Sequence, residues 1–228
     1  ELNKIGLLSV FIKDDSYRKG RRGGITYNAT ENENQFAAGI MEVSFEHIKE
    51  VLSEMDMVLV SSEEYLDDEE KQRVYRTFDF NYSEIPEARS FGEFFDRNKQ
   101  AKGSPEGYKP IFATYNEGQD QPIVNRVGAL ASALELDALL TIEILTRTTP
   151  KSIVLESITV VLHSAHPTLS EEGMHVGVGQ YAPSRQVAFV EIVGQDIKRE
   201  RYDGFATILS RLVGGLVSLA REEILSIE

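Results

Sequence analysis

The sequence predicts a single mixed α/β domain spanning residues 1–228, with one sheet that pairs in parallel near its start, antiparallel near its end, and is covered by helices. Two observations carry this. Apolar runs of strand length alternate with stretches of helical period up to residue 78 and again from residue 122, the pattern of parallel strands joined by covering helices. From residue 138 to 199, extended segments instead follow one another through short turn-rich connections, which is how antiparallel neighbours are joined.

The first strand is NKIGLLSVFI, residues 3 to 12, rich in Ile, Leu, Val and Phe. DDSYRKGRRGGITYNATENENQ, residues 14 to 35, has glycines, charges and amides without periodicity and reads as a long loop. Ser44 then precedes FEHIKEVLSEM, where Phe45, Ile48, Leu52 and Met55 recur at helical spacing; a serine in that place reads as a helix N-cap. MVLVSS, residues 57 to 62, is a short buried strand, and EEYLDDEEKQRVYRTF continues as helix. Its DDEE acids complement a helix dipole, so no calcium site is needed to explain them.

Residues 79 to 121 lack a clear period and read as an irregular insertion or lid, with FGEFFDRNK as a short helix and AKGSPEGYKP as a turn-rich connection. Pro122 suits a first helical turn, and Ile123, Val127, Leu130 and Leu134 form the stripe that follows. ALLTIEILTR, residues 138 to 147, is a strong strand, TTPKS a tight connection, and IVLESITVVLHS, residues 153 to 164, the next strand. Strict alternation there places Ile153, Leu155, Ser157, Thr159, Val161 and His163 on one face. MHVGVGQY and QVAFVEIVGQDIKR are further extended segments; alternating Gly177 and Gly179 suggest a strand closely crossed by another element. Asp203 is expected to cap a final helix whose face is Phe205, Ile208, Leu209, Leu212, Leu216 and Leu219. Its Gly214 and Gly215 each lower intrinsic helicity by about 1 kcal/mol relative to alanine, which packing must offset.

Composition limits the chemistry. A chain of 228 residues that is 41% hydrophobic can bury a sizeable core without disulfides or metal. A formal charge of -13 disfavours nucleic acid and anionic bilayers as partners. The absence of cysteine removes disulfides, thiolate nucleophiles and cysteine-held zinc or iron–sulfur centres. The apolar runs are interrupted by charge before reaching membrane-spanning length, so no transmembrane segment is expected. The chain starts at Glu1 rather than methionine, consistent with removal of a leader or of other leading residues, and any targeting signal would have gone with them.

Three constellations carry what chemical signal there is. LHSAHPTLSEEGMHVGVGQY, residues 162 to 181, holds three of the four histidines, His163, His166 and His175. With Glu171 or Glu172 they supply zinc-type ligands only if two strand ends turn their imidazoles to one point; otherwise they are ordinary strand and turn residues, and the helical HExxH spacing is absent. YRKGRRGG, residues 17 to 24, combines Arg18, Lys19, Arg21 and Arg22 with three glycines. Guanidinium groups and close backbone donors suit an anion or an acidic protein surface, although the phosphate-loop signatures are absent. A solvated loop is the structural alternative. Aromatics concentrate in residues 73 to 95, where Tyr75, Phe78, Phe80, Tyr82, Phe91, Phe94 and Phe95 either cement the region to the core or offer anchors to a partner. Glu143, Glu156 and Glu191 lie on predicted strands, and no serine elbow accompanies them.

In the order of its elements, from NKIGLLSVFI through FEHIKEVL, MVLVSSEEYL, NRVGALASALELD, ALLTIEIL, IVLESITVVLHS and QVAFVEIVGQDIKRE to the terminal helix, the chain resembles the α/β module of bacterial envelope lipoproteins. The TolB amino-terminal domain and CsgG-type lipoproteins are of that kind. The resemblance implies no catalytic centre, no cofactor, a role in binding or assembly, and a periplasmic or outer-envelope location. The lipidated cysteine of such proteins is missing, so a lipid anchor is without support in this chain. The expectation is a non-enzymatic module that presents the 17–24 loop or the aromatic region to a protein partner or a second copy. The competing expectation is a metal-dependent hydrolase built on His163, His166 and His175.

Overall fold

The sheet is organised around β1 (Lys4–Asp14), which is flanked by a strand on each edge. In the computed structural model, residues 2–14, 29–78, 101–103, 108, 121–148, 152–165, 177–181, 187–191 and 199–227 are described. On one edge, β2 (Val58–Val60) runs parallel to Lys4–Gly6, and β3 (Ala101–Gly103) runs antiparallel to Ile12–Asp14. On the other edge, β4 (Ala138–Thr148) is parallel to β1 along nearly its whole length. β5 (Ser152–Ser164) returns antiparallel to β4, and β6 (Gly177–Tyr181) and β7 (Val187–Glu191) share its far edge. The mixed α/β sheet with early parallel and late antiparallel pairing is therefore the architecture.

Helices cover both faces. Ile5, Leu7, Leu140, Ile142, Ile158 and Val160 point to one side, where they meet α1 (Ala29–Ser53) and α5 (Arg199–Ile227) in one buried cluster. Leu8 and Leu139 point to the other, where α4 (Gln121–Ala133) contributes Val127, Leu130, Ala131 and Leu134. The short helices α2 (Ser62–Tyr65) and α3 (Glu69–Thr77) join this second cluster through Tyr65 and, at its margin, Val74 and Tyr75. Gly6 of β1 faces this side because a Cβ there would stand 2.5 Å from Leu136 Cδ1.

Several elements differ from expectation, each for a local reason. The helix does not begin at Ser44: α1 runs unbroken from Ala29, so residues 29–35 of the expected loop are helical. Ile40, Ser44, Ile48 and Leu52 recur every four residues and are all fully buried, so Ser44 fills a small-residue place in the buried stripe rather than capping it. Asp203 likewise lies inside α5, which starts at Arg199. On α5 the buried face is Phe205, Ala206, Leu209, Val213, Leu216 and Val217, whereas Leu219 is 65% exposed; the stripe drifts because the helical period is 3.6, not 3.5. The helix expected over residues 63–78 divides at Asp67, since Asp68 caps α3 by accepting the Lys71 N–H at 2.8 Å. Part of the turn-rich 101–110 segment is strand β3, paired to β1.

The strand alternation also breaks. An extra residue, Glu156, bulges out of β5 where Leu145 pairs with Ser157 and Thr146 with Leu155. Leu155 consequently joins Ile158, Val160 and Leu162 on the α1–α5 side, away from His163. A second bulge, at Leu8, separates the Leu7–Leu140 and Ser9–Thr141 pairs in β1.

Helices α1 and α4 end in the same turn. The amides of Met57 and Leu136 reach back to Leu52 O and Ala131 O, both at 3.0 Å, while those of Asp56 and Glu135 bond to Ser53 O and Ser132 O, both at 3.1 Å. This is the Schellman arrangement, and it puts Asp56 (φ 59°) and Glu135 (φ 57°) in the left-handed region that glycine normally occupies. The following residues, Met57 and Leu136, are buried and lead the chain into the parallel strands β2 and β4.

Where α1 and α5 cross, a Cβ on Gly214 would lie 2.7 Å from Val51 Cγ1, whereas one on Gly215 would meet nothing within 4 Å. The first glycine is thus required by close packing and the second is not. Gly204–Glu222 of α5 is, among the described residues, the segment long and apolar enough to cross a bilayer, and half of it is buried in the protein. That burial against α1 and the sheet is what a core helix also shows.

Candidate functional site

The two faces of the central strands differ in chemistry. The α1–α5 side is apolar along β4 and β5, but the α4 side turns polar beyond Leu8 and Leu139. Ser9, Thr141, Glu143 and His163 lie on it, and none is more than 6% exposed. Register explains the grouping: Ser9 stands opposite Thr141 across β1 and β4, Thr141 opposite Val161, and His163 opposite Leu139 across β4 and β5. His163 Nε2 sits 3.1 Å from Thr141 Oγ1, so the imidazole either accepts the threonine proton or donates to its oxygen according to tautomer. A threonine–histidine pair of this kind can relay a proton in principle, yet here both partners are enclosed in the core.

Of the predicted zinc ligands, His163 is therefore a buried strand residue paired with Thr141. His166, His175, Glu171 and Glu172 lie outside the described residues. Among the described residues no three histidine, aspartate or glutamate side chains gather into a metal-ligand set. Glu143 shares the face of Thr141 two residues along β4, while Glu156 marks the β5 bulge.

Tyr65, Tyr75 and Tyr108 form a second polar group, at the β2 edge. The Tyr65 hydroxyl donates to Leu7 O at 3.0 Å, and its ring lies 6.2 Å from that of Tyr75, centroid to centroid. Tyr108 pairs with the Ser62 side chain. Burial raises the phenol pKa of all three: Tyr65 far above its ordinary value, Tyr75 to about 12, and Tyr108 upward. They stay neutral and act as hydrogen-bonding wedges. Phe78 joins the same margin, with the Arg126 guanidinium 5.6 Å above its ring. Tyr75 and Phe78, expected as cement or anchors, are half-buried against the α4-side core; Phe80, Tyr82, Phe91, Phe94 and Phe95 fall outside the described residues.

Two ionic fastenings close this side of the fold. Lys71 Nζ contacts Glu135 at 2.9 Å, Asp67 at 3.0 Å and Asp68 at 3.8 Å, which ties α3 to the turn after α4. Its hydrogen bonds to Glu135 and Asp67 hold the ammonium pKa above the usual lysine range, and the Asp67 carboxyl is lowered in return. The Asp137 carboxylate accepts the amides of Asn3 and Lys4 at 2.8 and 2.7 Å, setting the start of β1 against the start of β4.

The remaining candidate belongs to the connection between β1 and α1. β1 and β4 are parallel neighbours, and the chain leaves them in opposite directions: from β1 through residues 15–28 to α1 and β2, and from β4 to β5 on the far side. Their carboxyl ends, at Asp14 and Thr146–Thr148, lie side by side, where β3 also pairs with Ile12–Asp14 and β4 turns into antiparallel β5. Arg18, Lys19, Arg21 and Arg22 belong to that β1–α1 connection and lie outside the described residues. His163, near the amino end of β4, is at the other end of the sheet.

Glu143, His163 and Tyr75 were legible in the sequence, whereas Ser9, Thr141, Asp137, Tyr65 and Tyr108 were not. The polar alternation in LLTIEI was the available signal for Thr141. The chain matches no protein-family model, no curated protein and no solved structure.

Proposed function

We propose that the chain is a non-enzymatic binding or assembly module of the bacterial cell envelope, which engages an acidic protein partner through Arg18, Lys19, Arg21 and Arg22. One observation carries the reading: the connection that bears these four cations joins the carboxyl end of β1 to α1, beside the carboxyl end of parallel β4. The carboxyl ends of parallel strands are where open α/β sheets ordinarily take ligands. The cations are the exception in a chain of formal charge -13, so a localised basic loop favours a discrete acidic contact over a general polyanion. The aromatic region is the second contact surface in this reading, through Tyr82, Phe91, Phe94 and Phe95, since Tyr75 and Phe78 are engaged by the core. The envelope setting rests on the resemblance in element order alone.

Calorimetric titration with a glutamate-rich peptide, and separately with inorganic phosphate, tests the contact. The wild-type protein should bind the peptide more tightly than phosphate, and the variant R18Q/K19Q/R21Q/R22Q should bind it about tenfold or more weakly while remaining folded. Equal affinity of variant and wild type would remove the basic loop from the function. Fractionation of cells carrying the intact gene tests the setting: recovery in the cytosol would contradict it.

A further inference from the structure

We draw no further inference here: the strongest candidate, the buried side-chain cluster of Ser9, Thr141, Glu143 and His163 on the α4 side of the central strands, belongs to the site already described and is no more than 6% exposed at any member, with nothing in the structure to show how a ligand would reach it.

Discussion

His163 and Thr141 meet across two strands of the sheet, Nε2 to Oγ1 at 3.1 Å, with the histidine 4% exposed and the threonine fully buried. The pair links β4 to β5 on the polar side of the core, one step diagonal from the Leu139–His163 register. Its value lies in satisfying a buried imidazole nitrogen that would otherwise stay desolvated.

Thr141→Val keeps the shape of the side chain and removes the hydroxyl from that nitrogen. Urea denaturation should show a loss of about 1–3 kcal/mol, and Thr141→Ser, which keeps the hydroxyl, should lose less. Equal stability of the valine variant and wild type would mean that the pair contributes nothing to the fold.

The two adjacent glycines of α5 should respond in opposite directions. Gly215→Ala adds a methyl where nothing lies within 4 Å, and should stabilise by about 0.5–1 kcal/mol through helix propensity. Gly214→Ala drives a methyl to 2.7 Å from Val51 Cγ1, and should cost about 1–3 kcal/mol as α1 and α5 are pushed apart. A pair of thermal melts reads both, and equal shifts would contradict the crossing geometry.

Asp56 and Glu135 occupy equivalent left-handed positions but differ in what holds them there. Asp56 is exposed at the carboxyl end of α1, where its charge opposes the dipole, so Asp56→Gly should stabilise by about 1 kcal/mol. Glu135 also binds Lys71 at 2.9 Å, so Glu135→Gly gives up that contact and should gain less. A larger gain at Glu135 than at Asp56 would show the Lys71 contact to be without effect.

The Glu64 carboxylate accepts the Ser61 N–H at 2.7 Å at the start of α2. This hydrogen bond is the main reason its pKa is lowered. A depressed folded-state pKa means stability that is present above the ordinary glutamate range and lost as pH falls through the lowered value. Wild type should therefore lose more stability than Glu64→Gln on acidification through that window, and the two should differ by a constant above it. Because Glu64 is exposed, the effect is small and screened. Parallel acid dependence of the two proteins would contradict the capping role.

The long elements were legible because each carries its own period. ALLTIEILTR and IVLESITVVLHS appear as the β4–β5 hairpin, and Pro122 opens α4 within a residue of its place. Ser44 misled because a serine before an apolar stripe is a good cap, while the four-residue recurrence through Ile40 and Ile48 continues across it. β3 could not be read locally, since its three residues are strand only by virtue of pairing with Ile12–Asp14. The Glu156 bulge reversed Leu155 for a related reason: alternation is a property of unbroken strands, and the break depends on register with β4. For the site, His163 was readable as a strand-end residue, but Thr141 as its partner required the hairpin register. That the connection bearing the basic residues starts from the end of β1 next to parallel β4 required strand order, which residue pattern alone does not contain.

The most direct measurement is amide chemical-shift mapping of the full chain during titration with the glutamate-rich peptide. Perturbations are expected at residues 15–28 and at the carboxyl ends of β1 and β4, around Asp14 and Thr146–Thr148, and should be absent from R18Q/K19Q/R21Q/R22Q. Shifts confined to the opposite end of the sheet, around His163 and Leu139, or unchanged in that variant, would contradict a binding site at the β1–α1 connection.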